Sequence, residues 1–338
     1  MSPRPILPLA PVAALLAALL ASPTLGQEGM RWRPIEPQQL VFMELAEGQV
    51  VLELNPVFAP KTVERFRELV RSDFYRGLSF YRVIEGFVAQ AGDESDIGEP
   101  GSLPGLPAEF EHEADKDLPW TPVQKQDLFA AETGFVDGFA AAREADRVWL
   151  THCPGVLAMA RGEAEDSGST DFYIVIGQAP RYLDRNLTIF GRVIAGMDVV
   201  QSINRGPTED NGVIQDDLQR SRILRMRMGD QLPDAERQEY LVMDTHSPGF
   251  TELLESRRNR KDAFFHHHPP RVLDVCQVPV ATRVERPGIL VRSPLVEPDP
   301  IEPDPTETEQ IETEQIETDQ IEGEMVEPAP AQPDTRSK

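Results

Sequence analysis

What most constrains this chain is a series of short runs in which apolar and polar residues alternate, each closed by a turn signal within a few residues. LVFMEL (40–45) and QVVLEL (49–54) flank a Glu-Gly pair at 47–48, the spacing of a hairpin. LSFYRVI and FVAQAG follow around Glu85-Gly86, and then come GVLAMAR (155–161), DFYIVIG (171–177) and LTIFGRVI (187–194). Successive side chains of a strand point to opposite faces, so each run can cover one side of a sheet. Two segments among them carry helical period. After Pro60, which suits a first helical turn, Val63, Phe66, Leu69 and Val70 share one face and predict a helix over about 60–71. GMDVVQSI (196–203) predicts a second helix, opening after Gly196. Several short strands with two amphipathic helices predict a mainly β fold, a closed antiparallel barrel capped by two helices, rather than alternating α and β units.

The text between and beyond these runs differs. Glu94 to Asp117 is rich in glycine, proline and acids and reads as loop. Residues 118–147 have helical flavour, DGFAAAREADRVW above all, and form an insertion of about thirty residues. From 206 to 295 the chain reads as an ordered α+β extension. There SRILRMRM (221–228) alternates like a strand, DAERQEYLVM (234–243) looks helical, and VLDVCQVPV (272–280) looks like a strand. Beyond Pro294 the run TETEQIETEQIETDQIE repeats every five residues, a period that fits neither a helix face nor a heptad, and 296–338 reads as a disordered acidic tail. From Glu297 onward fourteen acidic residues face two basic ones, which accounts for half of the formal charge of −24. So acidic a chain repels phosphate, which argues against a nucleic-acid partner.

The N-terminus sets Arg4 ahead of an apolar run centred on Val12 to Leu20, followed by small and turn-forming residues. This is the grammar of a signal peptide over 1–26, cleaved near Gly26, and it predicts export to the periplasm with no stable membrane insertion afterwards. An uncleaved anchor is the competing reading, but the run is shorter than the ~20 residues that span a bilayer. The two cysteines, Cys153 and Cys276, are a disulfide candidate in an oxidising compartment; two separate buried thiols are the alternative.

One residue resists a purely structural reading. Arg82 sits in the middle of the apolar stretch FYRVIEGFVAQAGD (80–93), where a guanidinium costs free energy to bury unless something pairs with it or uses it. The stretch SFYRVIEGFVAQAGD resembles the signature of the cyclophilins, in which an arginine-bearing strand leads to Gly-Phe-x-x-Gln-x-Gly-Asp. PGVLAMAR resembles that family's Pro-Gly-x-Leu-x-Met-Ala strand, and STDFYIVIGQAPRYLDRNLTIFGRVIAGMDVV resembles the stretch ending in Phe-Gly-x-Val and a Gly-Met helix. APKTVERF resembles its first helix. The resemblance covers roughly 38–205 in the right order, in the style of a bacterial, exported cyclophilin-type peptidyl-prolyl isomerase. It implies an eight-stranded closed barrel with two capping helices, Pro-containing segments of unfolded or partly folded client polypeptides as partners, and no cofactor.

The implied chemistry has a physical rationale. An X–Pro bond rotates over a barrier of about 20 kcal/mol because rotation breaks amide conjugation. A fixed donor on the prolyl nitrogen, whose lone pair is freed in the twisted state, stabilises that state over either planar one. Arginine stays protonated and offers a rigid fork of donors. The resemblance gives Arg82 this role, with Phe87 and Gln90 as its catalytic companions. It places Val88, Ala160, Arg161, Asp171, Tyr173, Tyr182, Leu183 and Leu187 around the substrate; simple barrel packing is the alternative for the apolar ones. Several positions depart from the family's habit. Tyr173 stands where Phe is common, Asp171 where Gln is, Arg161 where Asn often is, Tyr182 where many members have Trp, and Leu187 where they have a pocket His. A carboxylate at 171 is the most consequential, because near Arg82 it is able to pair with the guanidinium and compete with substrate.

Other constellations carry less. The histidines of HHHPP (266–270) have no flanking cysteine or carboxylate pair and read as an exposed loop, so no metal is expected. His152 beside Cys153 reads as incidental, and Asp93, Asp184 and Asp198 as turn or cap residues. The rival to an enzyme is a non-catalytic chaperone or binding module that holds Pro-containing segments in the same groove.

Overall fold

A computed structural model describes residues 29–94 and 103–286; the expected signal peptide (1–26) and acidic tail (296–338) lie outside the described residues. The main sheet has nine antiparallel strands. Two consecutive hairpins, β2 (Leu40–Leu45) with β3 (Gly48–Leu54) and β4 (Ser79–Ile84) with β5 (Val88–Gly92), are joined by β11 (Val156–Met159), β12 (Phe172–Val175) and β13 (Ile189–Ala195). The ends are β14 (Ser221–Arg222) and β15 (Arg225–Met228), giving the order β14-β4-β5-β12-β11-β13-β3-β2-β15.

The expected closed, eight-stranded barrel is therefore corrected to an open, curled sheet. Its two end strands do not pair with each other; both come from the single run 221–228, which leaves one edge and reaches the other. Between them Ile223 N donates to Leu78 O and Leu224 N to Glu44 O. The alternation of SRILRMRM predicts a strand, but one segment pairing in turn with two different edges has to bend and splits into two short ones.

The inner face of the sheet gathers Val41, Met43, Val50, Leu52, Phe80, Val83, Leu157, Phe172 and Phe190 around α1 (Pro60–Arg71) and α2 (Met197–Ser202). The period of α1 is as expected: Val63, Phe66, Leu69 and Val70 are all buried. Its N-terminus, with orphan N–H groups, is capped from the following loop by Glu109, which accepts from Lys61 N (3.0 Å) and Thr62 N (2.9 Å).

The outer face is buried as well. A five-stranded sheet, β6 (His112–Glu113), β7 (Thr121–Lys125), β8 (Glu132–Val136), β9 (Phe139–Glu144) and β10 (Arg147–Leu150), packs Phe135, Phe139 and Leu150 with Val156, Ala158, Val175 and Ile189. This corrects the helical expectation for 118–147. Its alanines favour helix, but Asp137-Gly138 adopts positive φ at both residues (47° and 84°), the backbone of a tight two-residue hairpin. On the resulting strand Phe139 and Ala141 point to the apolar layer.

The third sheet, β1 (Trp32–Pro34), β16 (Glu239–Met243) and β17 (Thr282–Arg286), covers Leu40, Phe42 and Val51 with Tyr240 and Val242. The helix expected over 234–243 is thus a turn and a strand: Tyr240 and Val242 alternate inward. VLDVCQVPV likewise contains a 3-10 turn, Val275–Gln277, capped by the Asp274 carboxylate, in place of the expected strand. That turn brings Cys276 to Cys153, and the two form a disulfide. A third helix, α3 (Pro248–Arg258), packs Phe250 and Leu254 into the outer layer. Glu53, 1% exposed, is satisfied by Arg33 (2.9 Å) and Arg192 (2.7 Å), and Arg33 also donates to Asp137 O (2.6 Å), tying sheet, hairpin and N-terminal strand together. Among the described residues no helix is long and apolar enough to cross a membrane.

Candidate active site

Arg82, Val88, Gln90 and Tyr173 lie on the neighbouring strands β4, β5 and β12, and a register shift turns the arginine towards Gln90. In strict alternation Tyr81 and Arg82 would point to opposite faces. The β4–β5 ladder slips between Phe80 and Arg82, so Phe80 and Val83 both enter the core while Tyr81 and Arg82 both reach Gln90. Gln90 lies opposite Arg82 on one side and Tyr173 on the other.

A directed chain of hydrogen bonds results. Arg82 Nη1 donates to Gln90 Oε1 (3.0 Å), Gln90 Nε2 donates to the Tyr81 hydroxyl (2.6 Å), and that hydroxyl donates to Asp171 Oδ1 (2.9 Å). Thr170 Oγ1 donates to the other carboxylate oxygen (2.8 Å). Arg82 Nε donates to Asn211 O (3.2 Å), which fixes the plane of the guanidinium. Asp171 is buried behind Tyr81, and no carboxylate among the described residues forms an ion pair with Arg82. Burial, then the neighbouring carboxylate of Asp171, raises the Tyr81 pKa above its ordinary value, so the hydroxyl stays a donor. Burial lowers that of the half-buried Arg82, whose large reserve keeps it charged.

The orientation of Gln90 is set from both sides: Arg82 only donates and takes the amide oxygen, while Tyr81, committed to Asp171, takes the amide nitrogen. The Asp171 carboxylate accepts from the Tyr81 hydroxyl, which then turns a lone pair to the Gln90 amide nitrogen. The amide oxygen is left facing Arg82. Gly92 allows Asp171 to sit there: its φ is +142°, and a Cβ added to it would come within 2.6 Å of Asp171 Cγ. Gly92→Ala is expected to cost about 1–3 kcal/mol of stability, as strained backbone does, read from the urea midpoint; an unchanged midpoint contradicts that packing.

Phe87, Val88, Ala160, Tyr173 and Leu187 belong to one apolar cluster, which Tyr173 joins to Gln90 across the β5–β12 ladder, with Phe87 and Leu187 only partly covered. The 3-10 turn Arg181–Leu183 carries exposed Tyr182 and half-buried Leu183, and Asp184 after it ties the turn to Tyr173 through His152. Arg161 is at the edge, but its donors are committed to Asn186 O, Gly162 O and Glu163 O, so it fastens the loop there.

Tyr81, Asn211 and His152 were not legible as site residues. His152 is fully buried and contacts the Tyr173 hydroxyl through Nε2 (2.9 Å) and Asp184 Oδ1 through Nδ1 (3.0 Å); Asp184 also accepts from Arg181. Burial raises the Tyr173 hydroxyl pKa, keeping it protonated. The tyrosine that departs from the family's Phe is matched by this histidine, a pairing that separation in sequence conceals. His266, His267 and His268 lie exposed in a loop.

Residues 40–227 match the family described as cyclophilin type peptidyl-prolyl cis-trans isomerase/CLD. A probable peptidyl-prolyl cis-trans isomerase of Brucella suis is 31% identical over 192 residues, 53% of this chain and 79% of that protein. The mouse peptidyl-prolyl cis-trans isomerase-like 1 is 30% identical over 188 residues, 55% of this chain and 90% of that protein. The crystal structure of the cyclophilin AquaCyp293 from Hirschia baltica superposes with a TM-score of 0.61 at 30% identity, covering 76% of this chain and 94% of the other. With more than half of its length matched to that family and the curled, mainly β fold to go with it, the chain belongs to the cyclophilin-type peptidyl-prolyl cis-trans isomerases.

Proposed function

We propose that this isomerase acts on X–Pro bonds of unfolded or partly folded proteins of the cell envelope, with Arg82 donating a hydrogen bond to the prolyl nitrogen as the amide twists. The observation that carries the mechanism is the way the guanidinium is held. Gln90 and Asn211 O take Nη1 and Nε, which leaves donors on Nη2 for a substrate. Such preorganised donors act without reorganising in the transition state, in a setting less polar than water. The partly covered Phe87 and Leu187 of the apolar cluster that Tyr173 joins to Gln90 suit a proline ring. This arrangement favours catalysis over simple holding, since a binding module has no need of an uncaptured, oriented cation.

Export rests on the basic-then-apolar N-terminal run and on the Cys153–Cys276 disulfide, a bond that oxidising compartments favour. The test has two arms. Residues 27–338 should accelerate cis-to-trans conversion of a Pro-containing reporter peptide well above the uncatalysed rate, and the protein recovered from periplasmic extracts should lack its first residues by mass spectrometry. Binding of the reporter without acceleration would sink the enzymatic reading; a cytoplasmic, full-length species would sink the envelope substrates.

A further inference from the structure

The insertion brings a hairpin to the rim of the site, and the way it is fastened suggests what it is for. The tip between β7 and β8 is a tight turn: Gln126 N donates to Ala131 O (2.8 Å), Asp127 N to Ala130 O (3.1 Å), and Phe129 N to the Asp127 carboxylate (3.1 Å). Arg181, next in sequence to the rim residue Tyr182, anchors it. Its side chain is only 4% exposed, with Nη2 3.1 Å from Asp127 Oδ1, Nε 2.5 Å from Asp184 Oδ2, and its guanidinium 5.2 Å from the Phe129 ring centroid. A buried cation between two carboxylates and over a ring holds one geometry, because loss of any partner leaves a buried charge uncompensated.

What this clamp displays is apolar. Leu128 is 94% exposed, Phe129 49% and Tyr182 66%. Single exposed apolar residues need no explanation, but two on one hairpin tip and a third on the turn that Arg181 clamps to that tip make an apolar edge of the kind that marks an interaction surface. Asp127 and Asp184, which flank these residues in sequence, are spent on Arg181. The turn that carries Tyr182 and Leu183 is joined to the site from within: Asp184, bonded to Arg181, contacts His152, His152 contacts the Tyr173 hydroxyl, and Tyr173 lies opposite Gln90.

We infer that Leu128 and Phe129, with Tyr182, form a platform for apolar or aromatic residues flanking the proline of a polypeptide substrate, so that this enzyme prefers longer, apolar Pro-containing segments of unfolded chains. The inference deepens the proposed function and rests on it for the identity of the socket. The occupant is the substrate chain itself, because the clamped turn runs back through Asp184 and His152 to Tyr173 opposite Gln90, and an extended peptide advances about 3.3 Å per residue from one towards the other. Acidic or strongly basic flanks gain nothing from such a surface.

The test compares two peptides, a short Ala-Pro reporter and a longer one with leucine and phenylalanine flanking the proline. Wild type, Leu128→Ser and Phe129→Ser are each measured for dissociation constant and isomerisation rate. The platform predicts that the wild type binds the longer peptide more tightly, and that each substitution narrows the ratio of the two dissociation constants by roughly 5–10-fold, as expected for losing most of a buried apolar side chain. Leu128 has no packing role in the fold, so its variant separates the platform from misfolding. Ratios that match the wild type in both variants overturn the platform. A wild type that binds both peptides but accelerates neither overturns the isomerase reading instead, and the binding ratios still decide the platform.

Discussion

Arg82→Ala is expected to lower kcat/KM on a Pro-containing reporter by about 100–1000-fold, the usual cost of removing one preorganised donor aimed at a transition state. KM should change little, because the donor is used in the twisted amide more than in either planar form, and the socket beside it is untouched. The fold should survive. Arg82 lies on the outer face of β4, it is half-buried, and its partners are a neutral amide and a backbone carbonyl. Arg82→Lys should restore little of the lost rate, since an ammonium on a flexible stem cannot hold the Gln90 and Asn211 contacts and still present an oriented donor. Matching unfolding curves for the variants would confirm that the loss is one of chemistry.

Removing the disulfide, as Cys153→Ser with Cys276→Ser, is expected to cost about 2–5 kcal/mol of unfolding free energy. The bond spans 123 residues, so the unfolded chain regains a large loop when it is lost. It also fastens the 3-10 turn Val275–Gln277 over the outer apolar layer, where Val275 and Val278 pack with Phe139 and Val156. Denaturation with and without reductant measures the effect: wild type in reductant should fall to the midpoint of the double variant. Equal midpoints under all conditions would mean that the bond adds nothing to stability. The rate on a reporter peptide should survive the change below the transition, because Arg82, Gln90 and Tyr81 lie on strands that the bond does not touch.

Much of this fold could be read from the sequence because it is built from local signals. The hairpins around 47–48 and 85–86 and the helix at Pro60–Arg71 follow from period and turn residues alone. The failures have identifiable causes. The alanines of 139–142 carried the weight of propensity, although the Asp137-Gly138 pair was the stronger local signal. For 234–243 the charged half suggested a helix, whereas the partners of Tyr240 and Val242 are Phe42 and Leu40, some two hundred residues away. The helix at Pro248–Arg258 could have been found: Ser247 caps it by accepting from Phe250 N, and Pro248 fills its first position. Closure of the barrel could not have been judged, since nothing in SRILRMRM says that its two halves pair with different edges.

The site divides in the same way. Arg82, Phe87 and Gln90 stand in one contiguous motif and were legible together. Tyr81 was not, because only the register slip between Phe80 and Arg82 turns it to the same face. The role of Asp171 was legible as a concern but not in its outcome. The carboxylate is taken by Tyr81 and Thr170, and its effect reaches Arg82 through the orientation of Gln90. His152 looked incidental beside a cysteine; its partners Tyr173 and Asp184 are 21 and 32 residues away.

The most direct measurement is kcat/KM for wild type, Arg82→Ala and Asp171→Asn in one assay on one reporter. An asparagine at 171 can still accept from Tyr81 but no longer forces that direction, so one of the two constraints on Gln90 is relaxed while Arg82 still takes its amide oxygen. The account predicts that Arg82→Ala loses about 100–1000-fold while Asp171→Asn loses only about 3–10-fold, the worth of one ordinary hydrogen bond. An Asp171→Asn enzyme faster than the wild type would show that the carboxylate captures the arginine, and an Arg82→Ala enzyme of full activity would remove the arginine from the chemistry.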